Sequence, residues 1–164
     1  MLQSHYTMYY CMHSGTGHGV GSYLNVHEGP MGISWRPYPD DPGLQVGMVL
    51  SNEPGYYQDG DFGIRLENLV HIVQADTKHN FRDRGYLTFE DLTMVPIQQK
   101  LIDPKLLSPD EINYINIYHQ KCRDSVGPLL RDMGKTDGLK WYIFLKIGIY
   151  SSTFQQLCFQ LQVN

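Results

Sequence analysis

Short apolar runs bounded by glycine and proline predict β-strands in the first part of the chain. Residues 46–52 lie between Pro-Asp-Asp-Pro-Gly and Glu-Pro-Gly, so turn chemistry delimits a short strand. Residues 64–73 are rich in Ile, Leu and Val and predict a longer strand, and residues 87–97 predict a third. The segment 54–63 contains three glycines and one proline, which is typical of the loop of an antiparallel hairpin.

The pattern becomes helical after Asp103. Ser108 is a predicted N-cap, Pro109 occupies the first helical position and Glu111 the third, which predicts a helix that runs to about Cys122. Its apolar stripe consists of Ile112, Ile115 and Tyr118. A further helical stretch is predicted over 126–133, where a proline at position 128 restricts the start.

Glycines at alternating positions surround His18 in residues 15–21. So many glycines give a helix little support and favour close backbone approach, so this segment is predicted to be a loop or irregular strand. The predicted hairpin brings Glu53 and Glu67 face to face, and Arg65 lies on the same face of its strand as Glu67. One imidazole and two carboxylates form a donor set that suits manganese, cobalt or zinc.

Composition excludes several classes of function. A net charge of −4 and a pI near 5.9 leave no basic stripe for a phosphate backbone, so no nucleic-acid partner is expected. Cys11, Cys122 and Cys158 are odd in number and far apart, which favours a reducing compartment over a disulfide framework. No signal peptide is visible, and the most apolar window, 141–150, is too short to span a bilayer, so no membrane contact is expected.

Three segments resemble a known family: Gly-Thr-Gly-His-Gly-Val-Gly at 15–21, Ser-Asn-Glu-Pro-Gly-Tyr-Tyr at 51–57 and Gly-Ile-Arg-Leu-Glu-Asn at 63–68. With residues 80–103, they resemble the metal-binding half of the aminopeptidase P family. These enzymes are Xaa-Pro aminopeptidases of the M24 "pita-bread" class, here of the cytosolic three-domain branch. The resemblance runs over residues 13–141 and implies a cytoplasmic metallo-aminopeptidase that releases the residue preceding proline.

The resemblance also implies an architecture. The expected fold is α+β, a partial pita-bread (creatinase/aminopeptidase) fold with a curved antiparallel sheet and outer helices. Residues 1–103 would form the C-terminal half of the catalytic domain, 104–141 the C-terminal helical region of the family, and 142–164 a divergent tail. A peptide with proline at its second position is the implied substrate, and a homodimer is among the implied partners because the family is commonly dimeric.

Site roles follow from the same resemblance. The family holds two divalent ions, usually Mn²⁺ with Zn²⁺ or Co²⁺ as alternatives, on two aspartates, one histidine and two glutamates. His18, Glu53 and Glu67 match the histidine and the glutamates. His27 matches a histidine that contacts substrate and handles an oxyanion or a proton, and Arg65 is expected to orient the carboxylates.

Two substrate contacts are weaker matches. Tyr57, four residues beyond Glu53, is expected near the metal-bound water, with core packing as the alternative. His13 is a candidate substrate contact, although Ser14 sets it five residues before His18 where the family pattern has four.

Both aspartate ligands of the family belong to a segment upstream of the residues that match here. We therefore expect the 164-residue chain to be a fragment or truncated isoform that is inactive alone. Two alternative interpretations stay open. One is a non-catalytic pita-bread interaction module that has lost its dinuclear site, and the other is a mononuclear zinc protein that uses His13, His18 and a carboxylate. Metal stoichiometry discriminates among the three.

Overall fold

The computed structural model describes residues 15–22, 25, 27–34, 36 and 39–144, the last four by backbone alone. The chain divides into two compact units, Met1–Thr93 and Met94–Asn164. Antiparallel strands make up the first unit and helices dominate the second, which confirms the predicted α+β class. The predicted tail, 142–164, lies almost wholly outside the described residues.

Seven strands are described in the first unit. They are β1 (Gly17–Gly19), β2 (Glu28–Ile33), β3 (Val49–Asn52), β4 (Gly55–Tyr57), β5 (Gly63–Arg65), β6 (Asn68–Ala75) and β7 (Tyr86–Asp91). Five of them form an antiparallel sheet in the order β2-β1-β3-β6-β7, and β4 pairs with β5 in a separate ribbon. Leu50, Val70 and Ile72 from β3 and β6 form the core of this unit, and a partly buried apolar shell packs against them: Met31, Ile33, Leu44 and Met48.

Strand β1 is irregular, as its glycines predict. Its pairing with β2 shifts register between His18 and Gly19. A Cβ atom on Gly17 would lie 2.2 Å from the carbonyl oxygen of Ser51, and one on Gly19 would lie 2.3 Å from that of Glu28. No side chain fits at those distances, so glycine on each side of His18 lets this strand approach both neighbours closely.

The prediction of a single strand over 64–73 is wrong in one respect, because this segment forms parts of two strands. It is interrupted at Leu66 and Glu67, where the chain leaves β5 in the ribbon and enters β6 in the main sheet. The Leu66 N–H donates to the carbonyl of Pro54 at 3.1 Å, which connects the break between β5 and β6 to the residue that precedes β4. The predicted loop 54–63 therefore contains a short hairpin of its own, and only residues 58–62 connect β4 to β5.

Two other strands are shorter than predicted. The strand predicted over 46–52 begins at Val49 because the chain turns at Gly47, whose φ of 93° lies in the left-handed region. The strand predicted over 87–97 ends at Asp91 and does not reach Ile97. Residues beyond the sheet bond to a helix of the second unit instead: the Tyr118 hydroxyl donates to the Val95 carbonyl at 2.9 Å.

Helix α1 (Pro109–Asp132) begins at Ser108 with the predicted capping box. The Ser108 hydroxyl accepts from the Glu111 N–H, and the Glu111 carboxylate accepts from the Ser108 N–H. The prediction of two helices is wrong, since α1 continues through Pro128. Proline removes only one N–H from a helix that is already long when it reaches that turn.

Helix α1 ends in a Schellman motif. Gly134, with a φ of 65°, donates to the Arg131 carbonyl, and Lys135 donates to that of Leu130. A second helix, α2 (Thr136–Phe144), follows and was not predicted. In the part of the chain that the structure describes, neither helix is long and apolar enough to cross a membrane.

His119 is a buried histidine on α1 that the sequence analysis did not identify. Its Nε2 accepts from the Ile97 N–H at 3.1 Å, while its Nδ1 has no hydrogen-bond partner among the described residues. Burial lowers the pKa of His119, and the nearby Arg123 guanidinium lowers it further. A neutral imidazole thus ties the segment before α1 to the helix.

Candidate metal centre

His18 and Glu53 meet where β1 lies against the end of β3. The His18 Nε2 and Glu53 Oε1 atoms are 3.3 Å apart, and both side chains are mostly buried. The Glu53 N–H donates to the Thr16 carbonyl at 2.7 Å, so a backbone bond sets the spacing between the two segments. The chain thus aims one nitrogen and one oxygen donor at a common point.

The tautomer of His18 follows from its other ring nitrogen. Nδ1 lies 2.9 Å from the carbonyl oxygen of Gly19. Because a carbonyl only accepts, Nδ1 carries a proton, and Nε2 is the ring nitrogen that faces Glu53. An imidazole binds a metal ion through an unprotonated nitrogen, so Nε2 is the atom placed for that role.

Ser51 links the two donors and was missed in the sequence analysis. Its hydroxyl accepts from the His18 N–H at 3.0 Å and donates to Glu53 Oε1 at 2.9 Å. The residue is fully buried. A signal for it existed in the sequence, since residues two apart on a strand share a face and Ser51 lies two before Glu53.

Arg65 bridges the two predicted glutamate ligands. Its Nη1 lies 3.3 Å from Glu53 Oε2, and its Nη2 lies 3.2 Å from Glu67 Oε2. The guanidinium is half exposed, so these pairs contribute little to stability. Their effect is geometric, because one planar cation holds both carboxylates on the same side of the chain.

A cavity of about 320 Å³ opens over this cluster. Five of the predicted site residues line it: His18, His27, Glu53, Tyr57 and Arg65. The His27 ring meets that of His18 edge to face, with ring centroids 4.6 Å apart. A second cavity of about 300 Å³ shares Gly17, His18 and His27 with the first and extends to Met31 and Pro39.

Other predicted residues are not brought together in the same way. Glu67 is linked to Glu53 through Arg65, and His13 lies outside the described residues. The Tyr57 ring covers Gly55 and Gly63, where an added Cβ would lie 2.8 Å and 2.7 Å from the nearest ring atoms, so this tyrosine also has a packing role. Within the described ranges, no group of three or more His, Cys, Asp or Glu residues is arranged to hold a metal ion.

Two family models match the chain. The model for metallopeptidase family M24 matches residues 2–74, and the model for the C-terminal region of peptidase M24 matches residues 85–143. Together the two models cover most of the chain, which belongs to the M24 family.

Named relatives are more specific. The chain is 58% identical to "Aminopeptidase P1" of Lotus japonicus over 126 residues, which covers 77% of this chain and 19% of the relative. It is 55% identical to "Xaa-Pro aminopeptidase ApepP" of Drosophila melanogaster over 127 residues, which covers 77% of this chain and 21% of the relative. The chain therefore spans about a fifth of the length of these curated relatives.

A solved structure shares the fold. X-prolyl aminopeptidase from Caenorhabditis elegans, a cytosolic enzyme with a di-nuclear active site, superposes with a TM-score of 0.78 at 42% identity. The match covers 90% of this chain and 23% of that one. The expected partial pita-bread fold is confirmed.

Proposed function

We propose that this chain is the part of an Xaa-Pro aminopeptidase that supplies the histidine and both glutamates of its metal centre. The observation that carries the proposal is the His18–Glu53 pair, in which His18 Nε2 faces a carboxylate oxygen at 3.3 Å. Donors at that separation suit a shared ion, because ligand atoms lie about 2.0–2.2 Å from zinc. The di-nuclear site of the Caenorhabditis elegans relative supports the same assignment.

In this proposal, His18 and Glu53 hold a divalent ion directly, and Glu67 joins them when Arg65 yields one of its two contacts. Mn²⁺ is the proposed ion, with Zn²⁺ or Co²⁺ as alternatives, since nitrogen and carboxylate donors accept all three. A bound pair of such ions would supply an activated water and polarise the scissile carbonyl.

The remaining residues act on substrate. His27 lies beside His18 on the cavity wall, within reach of a group bound there, and is proposed to handle an oxyanion or a proton. Tyr57 faces the same cavity. Arg65 orients the carboxylates, and His13 remains a proposed substrate contact.

The two aspartate ligands implied by the resemblance match no position in these 164 residues. We therefore propose that the activity of the family requires aspartates from a longer chain, and that the 164-residue chain alone is inactive. Residues 1–103 are proposed to belong to the catalytic domain and 104–141 to its helical region. A cytoplasmic location, a homodimer and a substrate with proline second complete the proposal. The cytosolic relative supports the location.

Metal titration of the purified chain tests the proposal. Calorimetry with Mn²⁺ should detect one weakly bound ion per chain, and His18→Ala should abolish its binding. His71→Ala is a matched control, because His71 and Glu90 form another histidine–glutamate pair, 3.7 Å apart and away from the cavity. An Xaa-Pro peptide incubated with the chain and Mn²⁺ should release no free amino acid above background.

Two outcomes contradict the proposal in different ways. No binding of any divalent ion would favour the non-catalytic interaction module. Robust cleavage by the chain alone, abolished by Glu67→Ala, would mean that another acid, such as Asp59 or Asp61 in the ribbon loop, completes the site.

A further inference from the structure

We infer that Ser51 is a positioning residue of this centre, whose hydroxyl fixes the His18 backbone and the Glu53 carboxylate relative to each other. The inference rests on the proposed function, since it assigns Ser51 a role toward the two donors proposed to hold the ion. It goes beyond that proposal because Ser51 itself carries no ligand or substrate role there.

The hydroxyl of Ser51 both accepts and donates a hydrogen bond. It accepts one hydrogen bond from the His18 N–H and donates its only proton to Glu53 Oε1. Ser51 has no exposed surface, so water has no access from bulk solvent to replace either bond. Loss of the hydroxyl would leave a buried N–H and a carboxylate oxygen without this shared partner.

A side-chain acceptor extends the short pairing between β1 and β3. These two strands pair at Gly19 and Leu50, and in the adjacent residues the Ser51 hydroxyl accepts the His18 N–H. Strand β1 therefore carries the imidazole, and a hydrogen bond to β3 fixes the backbone from which the imidazole projects.

The carboxylate of Glu53 is held at both oxygens. Oε1 accepts from Ser51, and Oε2 lies against Arg65. With one oxygen held by each partner, the plane of the carboxylate is fixed and Oε1 faces His18 Nε2. Ser51 is thus the one described side chain that hydrogen-bonds both to the segment carrying the imidazole and to the carboxylate.

Co²⁺ titration of the 164-residue chain, followed by visible absorption, tests the inference. Ser51→Ala should weaken Co²⁺ binding about 10–100-fold, the usual effect of removing a partner that orients a metal ligand. Ser51→Thr retains the hydroxyl and should bind more tightly than Ser51→Ala. Should Ser51→Ala fail to fold, Ser51→Val, which matches Ser51→Thr in shape but lacks the hydroxyl, should show the same loss of affinity.

Thr93→Ala is the matched control. The Thr93 hydroxyl also accepts a backbone N–H in this unit, that of Leu69 at 2.8 Å, but it does not line the cavity. Thr93→Ala should destabilise the fold while leaving the Co²⁺ dissociation constant unchanged. Wild-type affinity in Ser51→Ala, or an equal loss in Thr93→Ala, would overturn the inference.

The metal-free chain separates failure of the inference from failure of the proposed function. If the wild-type chain binds no Co²⁺, the proposed function fails. The role of Ser51 is then tested by NMR of the His18 amide and ring. Ser51→Ala should then speed hydrogen exchange at the His18 amide, and the ring ¹⁵N shifts should report a mixture of tautomers in place of Nδ1–H alone. Unchanged exchange and an unchanged tautomer would overturn the inference.

Discussion

Gly17→Ala tests whether the close approach of β1 and β3 creates the candidate metal centre. The added Cβ would lie 2.2 Å from the Ser51 carbonyl oxygen, and at least 3.4 Å is an ordinary contact, so one strand must move by more than 1 Å. Movement the other way is blocked, since Ile33 side-chain atoms lie 3.0 and 3.1 Å from the same Cβ. The sheet therefore has to open at this point.

The expected loss of stability follows from the contacts that are strained or weakened when the sheet opens. Overpacking in a close-packed site costs about 1–3 kcal/mol. Two short backbone bonds also hold this position, from Thr16 N–H to the Ile33 carbonyl at 2.8 Å and from Glu53 N–H to the Thr16 carbonyl at 2.7 Å. Weakening them adds about 1 kcal/mol, so we expect a loss of about 2–4 kcal/mol. His18 and Glu53 separate in the same movement, and metal affinity falls with them.

Amide hydrogen exchange at Ile72 gives the stability of this unit, because Ile72 is a core residue whose N–H bonds to Met48 at 2.9 Å. Gly127→Ala in α1 is the control, since an added Cβ there meets nothing within 4 Å. That control should not destabilise the chain, as alanine favours a helix over glycine by about 1 kcal/mol. Gly17→Ala within about 0.5 kcal/mol of wild type, with unchanged Co²⁺ affinity, would refute the reasoning.

Two further predictions concern the helical unit. Burial lowers the pKa of His119 below its unfolded value of about 6.5, so stability should be full above that pH and fall as pH drops toward the folded pKa. In urea titrations from pH 8 to 5, the free energy of unfolding of His119→Gln, which retains an acceptor for the Ile97 N–H, should depend less on pH than that of the wild type. An identical pH dependence would contradict the assignment. Ser108→Ala should cost about 1 kcal/mol by removing the capping box, measured by thermal melting of α1 against exposed Ser125→Ala, which should be near neutral; equal effects would exclude capping as the cause.

The helix start was predictable because its signals are local. Ser108, Pro109 and Glu111 satisfy donors within one turn, and the structure contains that capping box. The end was not predictable in the same way, since Pro128 acts as a breaker in sequence but as a tolerated defect in a helix already formed. His119 was missed because its partner, the Ile97 N–H, is 22 positions away in the chain.

Strand boundaries in the first unit depend on contacts distant in sequence. Nothing local in residues 64–73 distinguishes one strand from two, because the break at Leu66 depends on a bond to Pro54 across the ribbon. The chemistry of the candidate site was more accessible. His18, Glu53 and Arg65 were identified from their motifs, and the structure places Glu53 in contact with each of the other two.

Ser51 shows why a list of ligand types is an incomplete description of such a centre. Imidazole and carboxylate side chains can be identified by their own chemistry, whereas a serine acquires its role only from a neighbour two positions along and another 33 positions before it. Gly17 belongs with it, since the absence of a Cβ there lets the Ser51 backbone come close enough for its hydroxyl to meet His18. The strand pair thus positions the donors through a missing side chain and a buried hydroxyl, neither of which touches an ion.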